Sequence, residues 1–145
     1  MPTRMGNRYE TTYDGWPEHM STEDYEIWQR WRPVALPQAL YLWFDVGLGE
    51  GGTVPAGADQ NETRMWTFIT QKRADTLIEY PSGIAIVELR HNTTANAIGR
   101  LLMYGELWKQ DPKINKPLVL ILVSNRIDAD VEMIAKKTGI ITFVA

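Results

Sequence analysis

The sequence predicts an α/β domain: a mixed central β-sheet with flanking helices, preceded by an N-terminal arm and helix. Three observations carry that expectation. Ile84 to Leu89 is an almost continuous apolar run, as a central strand covered on both faces would be. Ahead of it, Ala74 to Tyr80 is rich in β-formers and ends at the turn cluster Pro81-Ser82-Gly83, so the two runs form a hairpin. Behind it, helical periodicity alternates twice with short apolar runs, Leu118 to Val123 and Ile140 to Val144. Strand–helix–strand–helix–strand after a hairpin demands a mixed sheet with helices packed on it.

Composition sets the outer limits. At 145 residues the chain is long enough to bury one core without covalent staples. The fractions, 44% hydrophobic and 23% charged, are those of an ordinary globular domain. There is no cysteine, which removes disulfides and thiolate metal sites and fits a reducing compartment. No apolar run reaches the ~18 residues of a membrane span, and the N-terminus lacks the apolar segment of a signal peptide. A net charge of −3 argues against a broadly basic nucleic-acid binder. A local basic patch could still draw on Arg4, Arg8, Arg30, Arg32, Arg64, Lys72 and Arg73.

In chain order, residues 1–20 read as a polar arm and 21–145 as one domain, with its core in about 65–145. Ser21 can cap a helix whose first turn holds Glu23 and Asp24, acids suited to the positive end of the helix dipole. That helix is expected to end near Trp31, ahead of Pro33. Trp16, Tyr25, Trp28 and Trp31 make this region unusually aromatic. They could dock the arm on its own domain or anchor a protein interface, and the arm is expected to pack on another surface. Leu40 to Val46 is a strand candidate, and Met65 to Thr70 a second. Between them, Gly47-x-Gly49-x-x-Gly52 matches a nucleotide-loop string, but the following Thr53-Val54-Pro55-Ala56-Gly57 cannot be the helix that such a loop opens. Asp45 and Glu50 are either surface acids or a third carboxylate for a site. Thr93 and Thr94 offer caps for a helix from Ala95 to Lys109, with Ala97, Ile98, Leu101, Leu102, Gly105 and Trp108 as its buried stripe. Asn125 or Asp128 starts the last helix, and Gly139 closes it with a left-handed cap.

The chemistry concentrates at the end of the Ile84–Leu89 run. Glu88 and Arg90 share a face, because strand side chains two apart point the same way. The hairpin can bring Asp75 beside Glu88, and two converging carboxylates suit a hard cation such as Mg²⁺. On the next helix Arg100 and Tyr104 lie one turn apart. Neither His19 nor His91 fits a catalytic arrangement, and His91 should point away from Glu88.

Asp75, then Glu88-x-Arg90, then Arg100-x-x-x-Tyr104 resembles the core of the PD-(D/E)XK nuclease superfamily, a restriction-endonuclease-like fold. The pattern there is Asp, a turn, Glu-x-Lys, and a helix often carrying Gln-x-x-x-Tyr. Arginine stands here in place of both the lysine and the glutamine. The resemblance implies a site of Asp75, Glu88 and Arg90 supported by Arg100 and Tyr104, with Asp75 and Glu88 holding Mg²⁺ if the chain is active. Arg90 stays protonated and cannot act as a base, and the two guanidiniums can instead neutralise the two carboxylates. The reading favoured is a non-catalytic interaction or assembly component, such as a phage virion structural protein whose arm meets protein partners through Trp16, Tyr25, Trp28 and Trp31. The alternative is a Mg²⁺-dependent DNA endonuclease. The expected location is cytoplasmic, or the virion for a phage-encoded member.

Overall fold

The computed structural model describes residues 3–92 and 95–145. Six strands form a single sheet in sequence order: β1 (Tyr9–Glu10), β2 (Tyr41–Leu48), β3 (Lys72–Tyr80), β4 (Gly83–Arg90), β5 (Leu118–Ser124) and β6 (Ile140–Val144). The first four strands pair antiparallel, and β4, β5 and β6 run parallel. Parallel neighbours need a crossover. Helix α3 (Ala95–Gln110) makes the first and α4 (Ala129–Lys137) the second. Both pack in the same core layer, as two connections of one hand advancing in one direction must. The mixed α/β sheet expected from the sequence is therefore present.

The Ile84–Leu89 run is continuous because β4 is covered on both sides. Ile84 and Ile86 face Leu101 and Tyr104 of α3, whereas Ala85, Val87 and Leu89 face Ile27, Trp28 and Trp31 of α1 (Thr22–Ala35). The Asp45 backbone, at φ 55°, breaks the alternation of β2, so Phe44 packs with the α1 layer and Val46 with the α3 layer. Gly47 lies inside β2, where a Cβ would stand 2.4 Å from the Gln71 side chain.

Several expectations need correction. Met65–Thr70 is not a strand; it ends helix α2 (Gln60–Thr70), which the Asp59 side chain caps by accepting from the Glu62 N–H at 2.8 Å. A six-residue apolar run has no decisive period, and the cap decided the outcome. Helix α1 runs through Pro33 to Ala35, because a proline in the last turn removes only one hydrogen bond; the Leu36 N–H closes the helix on Arg32 C=O. Leu102 is exposed, and Tyr104 takes its place in the buried stripe of α3. Asp128 flanks α4, and Gly139 follows it at φ 80°. Thr93 and Thr94 lie outside the described residues.

The arm packs on its own domain. Thr3 N–H donates to Asp111 Oδ2 at 3.0 Å, Arg4 pairs in both directions with Gly47, and β1 extends the sheet at β2. Tyr9 and Tyr13 meet Phe44, and Arg32 donates to the Tyr13 carbonyl at 2.6 Å. Trp28 and Trp31, expected among the partner anchors, are 1% and 2% exposed and fill the core beneath α1. Their apolar area is worth more there than a loose arm could recover elsewhere. Only Trp16, half-exposed and stacked on Tyr25 at 4.2 Å, keeps an aromatic face outward in this group.

Candidate functional site

The β3–β4 register sets the site. Thr76 stands opposite Val87, which puts Asp75 and Glu88 at the next step along the ladder. There the ladder gives way to side-chain bonding: Leu89 N–H donates to Asp75 Oδ2 at 2.8 Å. The Asp75 carboxyl is pushed well above its ordinary value. Burial is the main cause, and the neighbouring Glu88 charge and a hydrogen bond with Glu88 add to it. Asp75 is thus drawn towards its neutral form as a donor to Glu88.

Glu88 is 1% exposed and ionically paired. Arg90 Nη2 lies 2.7 Å from its Oε2, and Arg100 Nε donates to the same oxygen at 3.0 Å. Strand parity delivers Arg90, and the second turn of α3 delivers Arg100. Arg100 Nη2 also donates to the Tyr104 hydroxyl at 2.8 Å. Tyr104 is pushed up to about 12, by burial first and then by the Glu88 charge, so its hydroxyl stays neutral. Burial opposes the charge on Arg100, but Tyr104 and Glu88 more than offset it and hold the guanidinium protonated.

All five residues named from the sequence therefore meet in one cluster: Asp75, Glu88, Arg90, Arg100 and Tyr104. Two neighbours escaped sequence reasoning. Asp24, in the first turn of α1, lies in the field of Arg90, with its own carboxyl raised by burial. The loop Pro17–Met20 closes over Asp75, so that His19, Glu18 and Asp45 bound a cavity of about 20 Å³ with it. That volume suits a single water. No local signal in the sequence announces either approach. His91 is exposed, and Asp45 does not join the carboxylates because Arg73 holds it at 3.1 Å.

Mg²⁺ requires near-octahedral oxygen ligation by ionised donors. This donor set does not fit it as arranged, because the Arg90 and Arg100 guanidiniums both stand against Glu88 Oε2, where they would compete with a cation. Among the described residues, no group of three or more His, Asp or Glu side chains is placed to hold a metal ion. The cluster can instead neutralise a buried carboxylate and tie β4 to α3.

The raised Asp75 value makes stability depend on pH. The folded state keeps the Asp75 proton where the unfolded chain, near 3.8, has lost it. Its contribution is fully present below that ordinary value and is lost as pH rises through the raised one. Urea unfolding from about pH 4 to 8 should show this fall in the wild type. Asp75→Asn, which preserves a donor to Glu88 and an acceptor for Leu89 N–H, should flatten it; an unchanged slope would contradict the assignment.

No protein-family model matches the chain, and no curated protein or solved structure does.

Proposed function

We propose that this chain is a non-catalytic interaction or assembly component built on a nuclease-like α/β frame. One observation carries the reading: the Glu88 oxygen where a metal would bind is shared by the Arg90 and Arg100 guanidiniums. Arginine cannot deprotonate a water at working pH, so Arg90 cannot be the base that a lysine there would be, and Glu88 Oε2 is already taken. The order hairpin–helix–strand and the meeting of Asp75 with Glu88 support the resemblance to the PD-(D/E)XK superfamily. The exposed Trp16–Tyr25 stack is the part of the aromatic region left for a protein partner. A virion component is the home this reading suggests.

The adjacency of Asp75 and Glu88 is the one feature that favours the rival, a Mg²⁺-dependent endonuclease. A cleavage assay on double- and single-stranded DNA with Mg²⁺ or Mn²⁺ separates the two. The wild type should leave both substrates intact. Metal-dependent cleavage that disappears in Glu88→Ala would establish the rival reading.

A further inference from the structure

Helix α2 is built inside out. None of its eleven residues is buried. Its half-buried positions are Thr63, Thr67 and Thr70, at helical spacing. Its exposed positions include Met65 at 66%, Trp66 at 37%, Phe68 at 45% and Ile69 at 66%. The threonine side thus leans on the domain while Met65, Trp66 and Ile69 face water and Phe68 lies against the Arg4 and Arg73 guanidiniums. Helices shorter than ~12–15 residues are marginal in water without tertiary packing. What would stabilise α2 is a cover for the apolar side.

The same chain offers a matching recess. Beside α2 lies a groove of about 160 Å³ whose apolar lining is Leu48, Met103 and Leu107. It adjoins the helix through the Gly52 N–H, which donates to Thr70 Oγ1. Charges are also matched: α2 carries exposed Glu62 and Arg64, and the groove carries exposed Glu50 and Lys72. None of these four forms an ion pair with another described residue.

We infer that a second copy of this chain covers α2, each copy's helix entering the other's groove about a two-fold axis. A two-fold contact is self-complementary, so a knob and a recess lying side by side in one patch can each engage its counterpart on the second copy. Arg64 then meets Glu50 of the second copy, and Glu62 meets its Lys72. The area is adequate. At roughly 200 Å² per large side chain, the exposed fractions of Met65, Trp66, Phe68, Ile69 and Met103 amount to about 500 Å² per copy. A standard interface buries about 800 Å² per partner, somewhat over half of it apolar, or about 450 Å². This inference goes beyond the reading of the Glu88 cluster and holds whichever way cleavage is decided.

Sedimentation velocity on the full chain, from about 1 to 100 μM, tests it. The wild type should sediment with twice the 16.6 kDa chain mass. Met65→Glu/Ile69→Glu should be monomeric with an unchanged far-ultraviolet circular dichroism spectrum, since both side chains are two-thirds exposed. Arg64→Glu should weaken dimerisation about tenfold, and adding Glu50→Arg should restore it. A wild type that stays monomeric, a dimer that survives Met65→Glu/Ile69→Glu, or a failed charge-swap rescue would overturn the inference.

Discussion

Replacing Arg90 and Arg100 together with methionine is expected to destabilise the fold by about 3–5 kcal/mol, the usual cost of stranding one charge of a buried pair. Glu88 is the partner that cannot escape, with only 2% of its side-chain surface exposed. Its guanidinium partners are 34% and 52% exposed and can turn to water if released. The cost is therefore asymmetric. Glu88→Gln should lose about 1 kcal/mol or less, because the freed arginines are rehydrated and screened. The triple change Glu88→Met/Arg90→Met/Arg100→Met should recover most of the loss, as an apolar replacement of a buried ion pair commonly does. Urea unfolding of these variants, with Glu88→Met added to close the cycle, measures the coupling. Equal costs for the arginine pair and for Glu88→Gln would contradict this asymmetry.

Trp28→Ala should cost about 3–5 kcal/mol, the range for removing a buried large aromatic. Trp28 is 1% exposed and meets Phe44 edge-on at 5.6 Å and Trp31 at 6.1 Å. It joins α1 to β2 and, through Phe44, to Tyr9 and Tyr13 of the arm. Loss of the ring should therefore loosen the arm as well as the helix. Trp16→Ala provides the contrast. With Trp16 51% exposed and stacked on Tyr25, its removal should change stability by less than about 1 kcal/mol. Thermal unfolding of both variants distinguishes them. A Trp28→Ala protein as stable as the wild type would show that the ring belongs to an interface and not to the core.

What could be read before the structure depended on how local the determining physics was. The β3–β4 hairpin was legible because Pro81-Ser82-Gly83 and two apolar runs specify it within twenty residues. Glu88 with Arg90, and Arg100 with Tyr104, were legible for the same reason, since period-two and helical spacing fix them on common faces. Helix α2 was not legible. Its apolar residues face outward, so the pattern that normally reports a buried strand or a helix face reported neither. The seat of the arm was not legible, because what holds it lies far away in sequence: Asp111 takes Thr3, and Gly47 takes Arg4. The loop over Asp75 depends on a left-handed backbone at His19 and on the Trp16 indole donating to the Met20 carbonyl at 2.8 Å. Neither has a sequence signature. The Asp45 kink belongs with them, since an aspartate at positive φ is a product of its tertiary surroundings.

We propose that the Arg90 and Arg100 guanidiniums stand at Glu88 in the place of a divalent cation. Calorimetric titration of the wild-type protein with MnCl₂ and MgCl₂ tests it most directly, with Glu88→Gln as the reference. Wild type and Glu88→Gln should give the same heats, those of weak surface binding, and neither metal should raise the melting temperature of one above the other. A saturable site of one or two ions in the wild type that vanishes in Glu88→Gln would contradict the account.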